Sequence, residues 1–241
     1  MKMFDRFWFC LCLWHLVGVF GDEMKFVKLG DSVTLNSGLT ELMDNDQIQW
    51  RFWIGNTSIA EINVTADSMT VYDDVLDGRF RDRLKLDKQT GSLTITNITT
   101  EHNGVYLGVV INRTSIPFFL AVYDEISVKK GDSVTINSGL TEIMDNEEIQ
   151  WAYMKENALI TVINKQADSM TVFDDVLDGR FRDRLKLNNQ TGSLTITNIT
   201  PEHTGRYVLL ILGPKESLKA FSVSVYSEII CFILHIFLIY Y

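Results

Sequence analysis

Glu101-His102-Asn103-Gly104-Val105-Tyr106 decides how this chain is read, because it occurs a second time as Glu202-His203-Thr204-Gly205-Arg206-Tyr207. Working outward from it, most of the body of the sequence is doubled at the same offset of 101 residues, with a two-residue insertion late in the second copy. Gly30-Asp31-Ser32-Val33-Thr34 returns as Gly131-Asp132-Ser133-Val134-Thr135, and Trp50 returns as Trp151. Ala66 to Leu86 returns as Ala167 to Leu187 with one change, Tyr72 to Phe173. A unit of that length is a whole domain, not a solenoid repeat of about 20–50 residues. The 241 residues therefore hold two domains, each large enough for its own core. The expected divisions are 1–21, 22–124, 125–226 and 227–241.

Within one copy the hydrophobic pattern has period two and short runs, the mark of an all-β sandwich. Val33 and Leu35 alternate with Thr34 and Asn36, and Ile48, Trp50 and Phe52 alternate with Gln49 and Arg51. Leu84 and Leu86 flank Lys85; Leu93 and Ile95 alternate with Thr94 and Thr96. Asp77-Gly78 and Gly91-Ser92 supply turns. The expected core is Val33, Leu35, Trp50, Leu84, Leu93, Ile95 and Tyr106 in the first copy, with Trp151 and Tyr207 in the second.

Taken together, Gly-x-Ser-Val-Thr-Leu, the tryptophan, Gly-Ser-Leu-Thr-Ile and Glu-x-x-Gly-x-Tyr resemble an immunoglobulin variable-type domain. The resemblance covers 24–123 and 125–226. It implies two tandem variable-like sandwiches in which Tyr106 and Tyr207 are corner tyrosines. Between Trp50 and Leu84 there is room for the extra strands C′ and C″. The family's inter-sheet cysteines fall on Ser37 and Gly108 here, and on Ser138 and Leu209 in the copy, so no such disulfide forms. Losing the bridge typically costs about 2–5 kcal/mol. Leu209 fills volume on the strand-F side and Gly108 does not, which makes the second domain the one expected to be more stable. His102 and His203 stand where the family has an aspartate paired with an arginine, which puts that salt bridge in doubt.

The cysteine-free first domain, with Asp-Gly-Arg-Phe-Arg-Asp-Arg-Leu and Thr-Gly-Ser-Leu-Thr-Ile, further resembles the signalling lymphocytic activation molecule (SLAM) family of leukocyte surface receptors. That resemblance implies binding to similar domains through the sheet of strands G, F, C and C′. The second domain departs from it: the family usually has a constant-type, disulfide-bonded domain there. No signalling tail with tyrosine motifs is present in the sequence given.

The ends and the sequons point outside the cytosol. Lys2 and Arg6 precede an apolar run from Phe7 to Val19, and Val19-Phe20-Gly21 offers a cleavage site, so 1–21 reads as a secretory signal rather than an anchor. All three cysteines, Cys10, Cys12 and Cys231, lie in the end segments, which leaves the body without a disulfide framework or thiolate metal site. Asn-x-Ser/Thr triplets at Asn56, Asn63, Asn97, Asn112, Asn189 and Asn198 suit a glycoprotein. Ile229 to Tyr241 is an apolar tail of about 20 Å if helical, short of a ~30 Å hydrocarbon core. It reads as an incomplete membrane span, a lipid-anchor signal or a secreted end. The cell surface is the expected location, with secretion as the alternative.

A site is suggested by where the two copies differ. Arg51 to Thr65 has little identity with Ala152 to Gln166, nor Val105 to Phe119 with Arg206 to Ser222. On the implied fold these windows are strands C, C′ and C″ with F and G, one sheet, whereas B, D and E are nearly unchanged. Alternation turns Arg51, Trp53, Leu107, Val109, Ile111 and Phe119 outward in the first domain. Met154, Val208, Leu210 and Leu212 hold similar places in the second. A contiguous apolar face commonly marks an interface. The sequons at Asn56, Asn63 and Asn112 lie in the same windows and would rim or mask it. With no Gly/Ser or Pro linker around Val122 to Ile126, a stiff connection is expected.

Chemistry is not indicated. A net charge of −9, with no basic stripe in the sequence, argues against nucleic acid as a partner. His102 and His203 read as solvated turn residues without a nucleophile, and Asp73 to Gly78 reads as a charged turn because Val75 interrupts a calcium-loop pattern. Arg79, Arg81 and Arg83 read as an exposed salt-bridged strand. No enzyme activity, cofactor, metal or small-molecule substrate is implied. The expected function is leukocyte recognition or adhesion through another immunoglobulin-superfamily protein or a second copy of itself. The alternatives are a soluble ligand or decoy and a plain spacer.

Overall fold

The computed structural model describes residues 24–227 apart from 53–55, 112, 174 and 215–216. The expected signal, Trp53, the sequon at Asn112 and the apolar tail lie outside the described residues. Contacts divide the chain into two units between Tyr123 and Asp124.

In the first unit one sheet holds β5 (Ser68–Val71), β4 (Thr57–Asn63), β3 (Gln47–Phe52), β8 (Gly104–Val110) and β9 (Thr114–Lys129), in that order and antiparallel. An additional strand, β1 (Met24–Lys28), runs parallel to β9 from Phe119 to Tyr123. Facing it is a three-stranded sheet ordered β2 (Val33–Leu35), β7 (Leu93–Ile95), β6 (Leu84–Leu86). The second unit begins with the last residues of β9 and repeats this plan. Its larger sheet is ordered β13 (Ser169–Val172), β12 (Ala158–Asn164), β11 (Glu148–Tyr153), β16 (Gly205–Leu212), β17 (Ser217–Tyr226). Its smaller sheet is β10 (Val134–Ile136), β15 (Leu194–Ile196), β14 (Leu185–Leu187).

Alternation drives each strand to bury one face. Along β3, Ile48, Trp50 and Phe52 are fully buried, while Gln47, Gln49 and Arg51 between them are half-exposed. The first core collects Val33, Leu35, Trp50, Leu84, Leu93, Ile95 and Tyr106; Trp151 and Tyr207 sit in the second. Each indole N–H donates across the sandwich to a turn carbonyl, Trp50 to Gly91 at 2.9 Å and Trp151 to Gly192 at 2.8 Å. Gly91 has φ +72°, and a Cβ there would run into Ile48 Cδ1, so only glycine brings that carbonyl to the indole. On the outside of the small sheet the hydroxyls of Thr34 and Thr94 bond across strands at 2.8 Å, as do those of Thr135 and Thr195.

The missing bridge is replaced differently at its two ends. Ser37 Oγ donates to the Thr90 carbonyl at 2.5 Å and accepts the Leu39 N–H, and Ser138 does the same with Thr191 and Leu140. These serines pin the end of β2 and β10 to the turn before β7 and β15. On β8 there is no vacant volume at Gly108. A Cβ there would lie 2.8 Å from Cη2 and Cζ3 of Trp50, so the indole itself covers that glycine. Leu209, at the same place on β16, is fully buried opposite Trp151.

The histidines are not solvated. His102 and His203 are buried, each in a capping box with Thr99 or Thr200. Nδ1 of His102 accepts the Thr99 N–H at 2.8 Å, and Nε2 donates to the Arg79 carbonyl at 2.9 Å. An imidazole has a polar atom at both ends, so it can join the turn before β8 to the chain entering β6. A carboxylate would do this through the arginine side chain. That side chain is used elsewhere: Arg79 donates to the carbonyls of Leu76 and Glu101 and lies over the Phe52 ring. Tyr106 and Tyr207 donate to the carbonyls of His102 and His203 at 2.7 Å. Burial pushes both phenols well above their ordinary range. Each unit is an immunoglobulin-like β-sandwich with a tyrosine corner.

The arginine run is a turn rather than a strand. Leu76, Asp77 and Asp82 have positive φ, and β6 begins only at Leu84. Arg81 pairs with Asp74 at 2.5 Å in the open, a contact worth little. Arg83 donates to the Asn97 carbonyl.

Candidate functional site

Register fixes which side chains share the outer face of the first domain's larger sheet. Gln49 is paired with Glu61 and with Val109, which is paired with Ser115; Thr70 extends the row beyond Glu61. The next row runs Ser58, Arg51, Leu107, Pro117, and the one after it holds Val105, Phe119 and Met24. The face is therefore divided along the strands. On β3 and β4 it is polar: Gln47, Gln49, Arg51, Glu61 and Asn63. On β8 and β9 it is mainly apolar, with Val105, Leu107, Val109, Pro117 and Phe119, and exposed Ser115 beside Val109.

The polar half is ordered by its own bonds. Arg51 donates from Nε to Gln49 Oε1 at 2.8 Å and from Nη1 to Asn56 Oδ1 at 3.3 Å. Glu61 accepts from Gln47 Nε2 at 3.2 Å and from the Tyr72 hydroxyl at 3.4 Å. This contact accounts for the one difference in the doubled run. Where Glu61 becomes Val162 there is no carboxylate to meet, and Tyr72 becomes Phe173. Beyond the sheet, Asp46 is buried, accepts the Met43 N–H and pairs with Arg113 at 2.9 Å. That pair ties together the turns at the β3 and β9 ends of this face.

Of the residues expected on the face, Arg51, Leu107 and Val109 are half-buried and Ile111 is 41% exposed. Phe119 corrects the expectation. It points away from the core, opposite Phe118 and Leu120, but is only 9% exposed. The reason is β1, which gives β9 a neighbour on each side and flanks Phe119 with Met24 as well as Val105. In the second domain Val208 and Leu210 are likewise buried, at 3% and 8%, rather than presented. They lie on a central strand, Val208 between Ala152 and Ala220, Leu210 between Gln150 and Leu218. Met154 and Leu212 are half-buried.

Asn56, Asn97, Asn189 and Asn198 are exposed. Asn63 is half-buried, and its Oδ1 accepts the Ala66 N–H at 3.0 Å. Among the described residues no group of His, Cys, Asp or Glu could hold a metal ion, and no helix is long and apolar enough to cross a membrane.

No family model matches the sequence, and no curated protein matches it. Solved structures resemble it at the level of the fold. The first Ig-like domain of human CD48 antigen is 20% identical and covers 44% of this chain and 84% of its own, with a TM-score of 0.37. CD84, described with the SLAM family, is 18% identical over 44% of this chain and 98% of its own, with a TM-score of 0.36. The CD2-binding domain of CD58 is 13% identical over 82% of this chain and 93% of its own, also at 0.36. These likenesses add nothing to the topology described above and assign no family.

Proposed function

We propose that the chain is a cell-surface recognition protein that binds another immunoglobulin-like domain, on leukocytes or on a second copy of itself, through the outer face of β3, β4, β8 and β9. One observation carries this reading: the sheet on which the two copies chiefly diverge has, among the described residues of the first domain, a mainly apolar half on β8 and β9 beside a bonded polar half on β3 and β4. A solvated face has no use for Val105, Leu107 and Val109 in a line. Weak contacts of this kind hold when many act together at a cell junction. A sugar at Asn56, just before β4, would rim the face, and one at Asn63 would stand on its polar half at the end of β4, with β3 between both and the apolar strands.

The test is binding of the tagged two-domain segment, 22–226, to leukocytes and to itself, with and without Leu107→Asp. Loss of binding with unchanged circular dichroism supports the reading; unchanged binding refutes the assignment of the face. A soluble ligand or decoy would use the same face. Fractionating the expressed full chain separates the two roles, since recovery wholly in the medium excludes the anchored form.

A further inference from the structure

Each domain contains a buried histidine that takes no part in the outer face, and in the first domain the hydrogen bonds around His102 fit one protonation state. The Thr99 N–H can only donate, so His102 Nδ1, 2.8 Å away, carries no proton. The Arg79 carbonyl can only accept, so Nε2, 2.9 Å away, carries one. The ring is therefore neutral, in the Nε2–H form. A proton added at Nδ1 could go to Thr99 Oγ1 at 3.0 Å. The Thr99 N–H would then lose its acceptor, and a full charge would be buried away from water, a cost that the small attraction of the Phe80 ring, 5.4 Å away, does not cover. An unpaired donor and an uncompensated charge inside a sandwich are both costly.

The charges around the ring do not relieve this. Arg79 supplies the carbonyl it touches, and its guanidinium extends to the Leu76 and Glu101 carbonyls. Arg83 repels a second positive charge; Glu101, on the same turn, attracts it but is exposed. Tyr106 is neutral and bonded to the His102 carbonyl. Burial outweighs the favourable contacts and holds the imidazole below its ordinary range. The second domain differs in two ways. His203 Nδ1 has a further acceptor, the Thr200 carbonyl at 3.3 Å, and Arg180 is matched by Glu156 at 2.9 Å.

We propose that His102 is an acid-sensitive latch on β8: a proton on its ring breaks the turn between β7 and β8, frees Tyr106 and loosens the strand that carries Leu107 and Val109. The consequence for binding rests on the reading of the face given above; the latch itself does not. The unfolded chain takes up a proton near the ordinary imidazole value of about 6.5. The folded domain resists it. The latch's contribution is therefore complete above that value and is lost as pH falls below it.

The experiment is thermal unfolding of the full extracellular chain between about pH 7.5 and about pH 5, followed by near-ultraviolet circular dichroism, for wild type, His102→Asn and His203→Asn. Asparagine keeps an acceptor for the Thr99 N–H and does not titrate. Wild type should lose several degrees in the first domain's transition on acidification. His102→Asn should start lower and stay level, and His203→Asn should keep the wild-type slope in that transition. A level wild-type profile, or an unchanged slope in His102→Asn, overturns the latch. If His102→Asn does not fold, nuclear magnetic resonance of the wild-type rings decides: an Nδ1–H tautomer, or titration of His102 at or above 6.5, refutes it. None of these readouts depends on a binding partner, so failure of the latch and failure of the face are separable.

Discussion

Gly108→Ala is expected to destabilise the first domain, although adding a methyl to a disulfide-free core is usually thought of as filling space. The structure puts the new carbon 2.8 Å from Cη2 and Cζ3 of Trp50 and 3.3 Å from Cε3. Carbon atoms rest at roughly 3.5–4.0 Å, so the overlap is roughly 0.7 Å or more at two positions. Trp50 has little freedom to withdraw. It is fully buried, its N–H is bonded to the Gly91 carbonyl at 2.9 Å, and the Phe118 ring stands 5.8 Å away. Overpacking of this kind costs about 1–3 kcal/mol. A weakened indole hydrogen bond adds up to about 1 kcal/mol, and replacing a strand glycine by alanine returns about 0.5–1 kcal/mol. The net is a loss of up to about 3 kcal/mol, and each kcal/mol lowers Tm by roughly 4–8 °C in a domain of this size. The assay is thermal unfolding of the two-domain chain by near-ultraviolet circular dichroism, with the Trp50 indole N–H resonance as a local probe. A variant that melts at or above wild type, with that resonance unmoved, would show that the indole does not occupy the place of the lost cysteine.

Two further substitutions probe the same framework. Leu209→Ala should cost the second domain about 2–5 kcal/mol, because the fully buried leucine opposite Trp151 leaves a cavity; chemical denaturation that finds less than 1 kcal/mol would mean the ring closes over the gap. Tyr106→Phe strips the His102 carbonyl of a buried donor at 2.7 Å and should cost about 1–3 kcal/mol, read from the midpoint of urea unfolding.

Much of this architecture is legible in the sequence, for a physical reason. Strands that bury one face must alternate, and the runs around Trp50, Leu93 and Tyr106 do. The turns are legible too, since Gly91 is required by both its φ and its neighbour. What the pattern misses is whatever depends on a third element. Met24-Lys25-Phe26-Val27-Lys28 carries too little alternation to announce itself as a strand, and without β1 the covering of Phe119 cannot be foreseen. That an indole rather than a void lies over Gly108 depends on the direction of a ring from the neighbouring strand. The histidines were missed for another reason: polar turn residues are ordinarily solvated. One signal was available. Thr99 and Thr200 stand three residues before His102 and His203, the spacing of a capping box, and a side chain held in that way need not face water.

The central claim is that the strands on which the two copies diverge are the ones that recognise a partner. Exchanging those windows between the domains, 51–65 and 105–119 for 152–166 and 206–222, tests it directly within one chain. Leukocyte binding by each exchanged chain, mapped with aspartate at Leu107 or at its transplanted equivalent, should follow the windows into their new framework. Binding that stays with the first domain's unchanged β2, β6 and β7, whichever windows it carries, would contradict the account.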